Sequence, residues 1–379
     1  MIYKNALITT KDRQFFGWIE IENGILKGVN EGKTNLEGFD CNNNILMPGF
    51  IDSHTHGGFG FSFNDDLKDL KKYENYVSNL KKEGLVAFVG SCVTATLDKL
   101  RSDFIDINNL IFKSNNKKLP KLVGWYYEGP FISKAKKGAH EENLIIPLDE
   151  KFLNDVKHNF KNFPIIFTVD ASKEQNQKLI KKYQNDFIFA LGHSDANYEQ
   201  AKLVLTNGIK RITHLYNAMS GFSHSNKLGI VNAMFNKEFN SDLNIELIAD
   251  GVHVANEVIK YTYKNFNIDN LSVITDSLSP KGLENGEYKL GNLDIEKKDH
   301  WFYLKGTTTL SGSALPYNEV LKNFKNITNC SWEELVKVSS YNSARNLNLP
   351  NYYGDFIINE KVNFVLVNKD LEIIKIFID

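Results

Sequence analysis

The sequence predicts an α/β protein: a (β/α)8 barrel of the TIM type, with a small β-domain built from both ends of the chain. Three observations predict it. Between residues 48 and 350, eight short apolar runs alternate, mostly, with segments whose apolar residues recur at helical spacing. Six of those eight runs end in, or lead straight into, a histidine or a carboxylate. Residues 1–47 and 351–379 instead carry short β-rich runs with turn signals between them. A chain of 379 residues is long enough for such a barrel and a smaller companion.

Taken in order, Ile2 to Thr9 and Phe16 to Ile21 are β-rich, and Asn23-Gly24 is a hairpin signal before Ile25 to Val29. At the far end, Gly354 to Ile358, Val362 to Val367 and Ile373 to Ile378 read the same way. The two ends together predict a β-sandwich-like domain of residues 1–47 and 351–379, beside a barrel of residues 48–350. The barrel runs are Phe50 to Asp52, Val86 to Val93, Lys121 to Tyr127, Pro164 to Val169, Phe187 to Leu191, Arg211 to Thr213, Ile245 to Ala249 and Leu271 to Thr275. Helical spacing is clearest over Asp66 to Glu83, where Leu67, Leu70, Tyr73, Tyr76, Val77 and Leu80 share a face. Further helices are predicted near Leu97 to Phe112, in the Lys- and Gln-rich stretch after the fourth run, and over Tyr198 to Thr206.

Composition narrows the function. Hydrophobic residues at 42% and charged residues at 24% are ordinary for a globular protein. A formal net charge of -1 supplies no field favouring nucleic acid or an anionic membrane. Cys41, Cys92 and Cys330 are odd in number and far apart, which points to a reducing compartment, the cytoplasm, and not to a disulfide framework. No stretch has signal-peptide character or membrane-span length.

The reactive residues fall where a barrel of this type carries its chemistry, at the carboxyl ends of the strands. The first run leads into His54-Thr-His56, two imidazoles that a strand projects from one face. The third ends in Glu128, the fifth in His193, the sixth in His214, the seventh in Asp250-Gly-Val-His253 and the eighth in Asp276. One strand-end Asp is usually a turn residue and one His usually structural; six together exceed chance. Four histidines and a glutamate, without thiolate, suit Zn²⁺, and also Fe²⁺, Mn²⁺ or Co²⁺. The set fits two arrangements. Glu128 bridges two metals, one on His54 and His56 and one on His193 and His214; or Glu128, His193 and His214 hold a single metal and the His-x-His pair stays empty or weak. Asp276 is the natural general base. The barrel is therefore read as a metallohydrolase.

At these residues the chain resembles the amidohydrolase superfamily, and within it the deacetylases of N-acetylglucosamine 6-phosphate. The matching pieces are Pro48-Gly-Phe-Ile-Asp52 with His54-Thr-His56, Glu128-Gly-Pro-Phe131, Lys137-Gly-Ala-His140, Leu191-Gly-His-Ser194, Thr213-His-Leu-Tyr-Asn-Ala-Met219, Ala249-Asp-Gly-Val-His253, Thr275-Asp276 and Leu310-Ser-Gly-Ser-Ala314. They occur in the family's order over nearly the whole chain. The resemblance implies release of acetate from a small sugar phosphate by a metal-dependent homodimer. It implies Glu128, His193 and His214 as principal ligands, His54 and His56 as a second site, and Asp276 as acid/base. Ala139, His140, Asn217, Ala218, His253 and a loop of Leu310, Ser311 and Gly312 are implied to line the sugar-phosphate site, with backbone N–H groups of Asn217 and Ala218 cradling phosphate. One stretch departs from the pattern. Where the family usually has an Arg before Glu-Pro-Gly, this chain reads Ser220-Gly-Phe-Ser-His-Ser-Asn-Lys-Leu-Gly229, with Ser225 in the Arg position. Lys227 is the expected substitute cation. The departure keeps open another N-acetyl sugar phosphate, of galactosamine or mannosamine type, or an N-acyl amino acid. A non-catalytic sugar-phosphate sensor is disfavoured, because every ligand and Asp276 are present.

Overall fold

The computed structural model describes residues 1–113, 118–239 and 243–379, without the side chain of Lys237. Eight parallel strands run in sequence order round a barrel: Phe50–Thr55, Leu85–Val93, Lys121–Glu128, Ile165–Val169, Ile188–Leu191, Ile209–Ile212, Asn244–Ile248 and Leu271–Ile274. All eight match runs read from the sequence, and the first extends beyond its predicted end to take in His54. The last strand meets the first at the mouth: Asp276 N–H donates to His54 C=O (3.0 Å) and His56 N–H to Ser277 C=O (2.8 Å). Below that pair, Asp52 accepts from the Thr275 hydroxyl and backbone.

The strands are apolar throughout because both of their faces are covered. In the third strand, Trp125 and Tyr127 point outward into the layer under the helices, with Phe88, Phe167 and Phe189. Tyr126 points inward, with Ile51, Val89, Ile166 and Ala190. Strand alternation then sends Glu128 inward again, one layer above Tyr126. The Tyr126 hydroxyl lies 2.7 Å from Thr213 Oγ1, which lies 3.0 Å from Thr168 Oγ1, so a satisfied polar layer floors the mouth.

The helices form where apolar spacing and caps agree. Leu70–Lys82 begins at Asp69, whose carboxylate accepts from Lys72 N–H, and buries Tyr73, Tyr76, Val77 and Leu80. Tyr198–Leu205 begins with a capping box of Asn197 and Gln200. The stretch read as one helix near Leu97 to Phe112 is two, Leu97–Ser102 and Phe104–Lys113, broken at Asp103.

The terminal strands join one seven-stranded sheet. Ile2–Thr9 pairs with Gln14–Glu22 and with Ile45–Pro48, and Ile45–Pro48 pairs antiparallel with Phe364–Val367 from the other end of the chain. Asn23 (φ 49°) and Gly24 (φ 80°) make the two-residue hairpin to Ile25–Glu31 that their sequence signals. Two readings are corrected. Gly354 to Ile358 forms no strand; Gly354 turns at φ 79° and Phe356 anchors the segment in the terminal sheet's core. A four-stranded antiparallel sheet follows the eighth barrel strand (Gly286–Leu290, Leu293–Lys298, Trp301–Leu304 and Leu310–Ser313), so the stretch Leu310 to Gly312 is a strand and not a loop. Its apolar face (Leu290, Ile295, Phe302) packs with Val93, Ala139 and Leu278 beside the mouth.

Burial of this kind predicts a large cost for core truncation. Phe167 is fully buried against Tyr127, Phe187 and Phe189. Phe167→Ala is expected to destabilise by ~3–5 kcal/mol and to lower the thermal midpoint by several degrees. Phe112→Ala, at a side chain 75% exposed, should leave the midpoint unchanged.

Candidate metal centre

The carboxyl ends of the strands converge on Glu128. Its Oε1 lies 2.8 Å from His214 Nε2 and 3.2 Å from His193 Nε2, and those two nitrogens are 3.1 Å apart. Its Oε2 lies 3.0 Å from His56 Nε2 and 3.5 Å from His140 Nε2. Asp276 Oδ1 is 3.2 Å from His56 Nε2. His54 Nε2 is 3.8 Å from both Glu128 Oε1 and Asp276 Oδ1. All of these side chains are buried.

The backbone bends to achieve this. His193, His214 and Asp276 have φ of 44°, 25° and 51°, and Tyr216 and Ala218 are also positive. Side chains other than glycine enter this region at a cost on the order of 1–2 kcal/mol each. That local cost turns residues just beyond the strand ends inward over the mouth. His193 is oriented further: its Nδ1 donates to Lys136 C=O (2.9 Å), which directs Nε2 at Glu128.

The electrostatics follow from this packing. Burial pushes the Glu128 carboxyl up, but the surrounding histidines outweigh it and hold it well below the usual range. Burial likewise raises Asp276, and its bond to His56 and the field of His54 bring it well below an ordinary aspartate. For His56 and His214, burial favours the neutral ring, yet hydrogen bonds to Asp276 and Glu128 (His56) and to Glu128 (His214) push them up to about 10 and about 9. Burial dominates at His140 and lowers it to about 4. Protons and a cation therefore compete for the same nitrogen lone pairs.

The donor set fits a divalent metal. His54 Nε2 is buried without a hydrogen-bond partner and faces Glu128 Oε1 and Asp276 Oδ1. Two imidazole nitrogens only 3.1 Å apart can share at most one hydrogen, and both face one carboxylate oxygen. A cation makes ligands of all three. Ligand atoms of His54, His56, Glu128 and Asp276 also lie within 4.8 Å of one another.

A cavity of about 430 Å³ opens above the cluster. Of the residues expected in the site, Ala139, His140, Asn217, Ala218, His253, Leu310, Ser311 and Gly312 line it, together with His56, Glu128, His193, His214 and Asp276. His54 lies beneath the wall, fully buried. Asn217 N–H is spent on His214 C=O (3.0 Å), which leaves Ala218 of the pair to offer a backbone donor to a ligand. Lys227 is exposed and does not line the cavity. The lysine that does is Lys136, in a short turn after the third strand. The larger groove, about 1390 Å³, lies at the amino ends of the strands and does not adjoin the histidines. Sequence reasoning also passed over Glu246 and Arg211, both fully buried inside the barrel. Their signal was charge inside two otherwise largely apolar strands, Asn-Ile-Glu-Leu-Ile and Ile-Lys-Arg-Ile.

The amidohydrolase family model matches residues 45–379. The N-acetylglucosamine-6-phosphate deacetylase of Bacillus subtilis (strain 168) is 29% identical over 332 residues, 87% of this chain and 82% of the relative. The crystal structure of the Thermotoga maritima protein of that name superposes with a TM-score of 0.87 at 32% identity, covering 100% of this chain and 98% of the other. A mutant of the Mycobacterium smegmatis protein, in complex with N-acetyl-D-glucosamine-6-phosphate, superposes at 0.91 with 24% identity, covering 99% and 97%; that likeness speaks for the fold.

Glu128 touches every part of the cluster, so neutralising it should empty the centre. Glu128→Gln keeps the shape and removes the charge. Elemental analysis after dialysis should find a divalent ion in the parent protein and less than about one tenth of it in the variant, the scale on which even supporting residues alter metal affinity.

Proposed function

This chain belongs to the amidohydrolase family, and from that premise we propose that it hydrolyses the acetamide of N-acetylglucosamine 6-phosphate to glucosamine 6-phosphate and acetate. The observation that carries the reading is the place of Asp276: an ionised carboxylate on the cavity wall, 3.2 Å from His56 Nε2 and beside the cluster around Glu128. Relatives named for that activity match the chain over most of its length.

Glu128, His193 and His214 would hold a divalent metal, and His54 and His56 offer a second position. Imidazole and carboxylate donors without thiolate favour zinc. Such an ion, when bound, lowers the pKa of a water toward neutrality and polarises an amide carbonyl. Asp276 accepts the proton of the attacking water as the new C–O bond forms at the acetyl carbon. It delivers that proton to the amide nitrogen as the C–N bond breaks, so the water oxygen leaves in acetate and the sugar leaves as the amine. His140 and His253 stand on the wall to bond sugar or phosphate oxygens, and Ser311 Oγ is buried there without a partner. Lys136, a residue of the cavity wall whose ammonium lies 4.0 Å from Asp195, is assigned the phosphate role first expected of Lys227.

The reading extends to a cytoplasmic homodimer. Three buried free thiols suit a reducing compartment, and among the described residues no helix is long and apolar enough to cross a membrane. Exposed Phe222 and Tyr261, packed on either side of Phe235, offer a face for a second copy.

Asp276→Asn should lower kcat by ~10²–10⁴-fold while elemental analysis still finds the ion of the Glu128, His193 and His214 position; near-parental turnover would refute the assigned role. Lys136→Ala should raise KM for the phosphorylated sugar about tenfold to a hundredfold, the worth of one charge-assisted bond, with kcat little changed. An unchanged KM would remove Lys136 from the site.

A further inference from the structure

The first and eighth barrel strands lead into the His54 and His56 pair and into Asp276. Among the described residues these two strands share one isolated bridge, Thr55 with Ser277, where the other neighbouring strands share ladders. Side chains hold this seam. Ser277 Oγ lies 2.9 Å from Thr55 Oγ1 and donates to Gly57 C=O (2.9 Å). The Tyr317 hydroxyl lies 2.9 Å from Val273 C=O in the eighth strand and 3.1 Å from Ile51 C=O in the first. The turn that follows Asp276 is pinned to the segment that follows His56: Gly60 N–H donates to Ser279 C=O (2.8 Å) and Phe59 N–H to Lys281 C=O (2.7 Å).

Lys281 is the far anchor of that turn. Its side chain is 1% exposed, and Nζ donates to Glu83 Oε2 at 2.7 Å. The same oxygen accepts Tyr317 N–H at 2.9 Å, and Glu83 closes the helix Leu70–Lys82. The ammonium also lies 5.9 Å from the centre of the Phe59 ring. A buried ion pair stabilises little relative to apolar side chains of the same volume. What this one adds is a single length and direction between the turn and the helix end. Asp276 needs such a fixture, because its φ of 51° persists only where the surroundings over-determine it. Neither Lys281 nor Glu83 lines the cavity, whereas Asp276 and Leu278, from the same turn, do.

Resting on the hydrolase reading above, we propose that Lys281 and Glu83 are positioning residues: their buried ion pair ties the turn after Asp276 to the seam and so sets where the Asp276 carboxylate stands in the mouth.

The test compares Lys281→Met with the double variant Glu83→Gln, Lys281→Met, in full-length, metal-loaded protein, with kcat read well below every thermal midpoint. Lys281→Met leaves a buried carboxylate unpaired and should lower the midpoint; the double variant removes both charges and should restore it. A pair that only stabilises would then restore turnover as well. A positioning pair leaves kcat for acetate release from N-acetylglucosamine 6-phosphate ~10–100-fold down in the double variant, with KM within about threefold of the parent and the ion of the Glu128, His193 and His214 position retained. Crystals of parent and double variant, at equal metal content and without sugar, should show the Asp276 carboxylate displaced from His56 by about 1 Å, with Glu128 and His214 unmoved. Parental kcat in the double variant overturns the proposal, and so does a carboxylate that has not moved. If the double variant does not fold, Glu83→Asp decides: it keeps both charges, shortens the tether by one methylene, and must lower kcat and move the carboxylate. A parent that releases no acetate refutes the hydrolase reading, and the crystals alone then decide this proposal.

Discussion

The structure is governed by the cost of keeping Glu128 charged and almost without solvent. Its carboxylate is 3% exposed, and imidazoles of His56, His193 and His214 stand within 3.2 Å of its oxygens. A buried ion is tolerated only where partners or a metal neutralise it. Every strand end that contributes to the mouth therefore has to be held in register. Removing one partner leaves the others as uncompensated charges.

The fold meets this demand from below and from the side. Alternation along the third strand puts Tyr126 in the polar floor and Glu128 above it, while Trp125 and Tyr127 lock the strand against the helices. The first strand is fixed at its entrance by the terminal sheet, where Ile45–Pro48 is clamped between Ile2–Thr9 and Phe364–Val367. It is fixed at its exit by the backbone bonds of His54 and His56 to the residues after the eighth strand. The β-domain thus sets where the His-x-His pair begins. Strain at His193, His214 and Asp276 is local and is offset by the rigid barrel beneath.

The parts of this design that depend on local order were legible in the sequence. Eight apolar runs and the residues closing them, from His54 to Asp276, lie within a few positions of one another and follow strand periodicity. What joins distant segments was not. Arg211 and Glu246 are 35 positions apart and meet side by side on neighbouring strands inside the barrel, where a charge in an apolar strand reads as an anomaly until its partner is seen. Lys227 was chosen for its nearness in sequence to the altered stretch, yet Lys136, far off in sequence, reaches the cavity wall. The antiparallel strands from Gly286 to Ser313 escaped because their outer faces are charged and only alternate residues, such as Leu290, Ile295 and Phe302, carry the apolar signal. Gly354 to Ile358 looked like a strand because Phe356, Ile357 and Ile358 are β-formers, but a turn at Gly354 takes the segment out of the ladder.

The central claim is that this mouth hydrolyses an N-acetyl group on a phosphorylated amino sugar. The most direct measurement is acetate release by metal-loaded protein from N-acetylglucosamine 6-phosphate, beside unphosphorylated N-acetylglucosamine and the galactosamine and mannosamine phosphates. The account predicts turnover with a strong preference, in kcat/KM, for N-acetylglucosamine 6-phosphate. Absence of acetate with metal present, or equal rates with and without the phosphate, would contradict it.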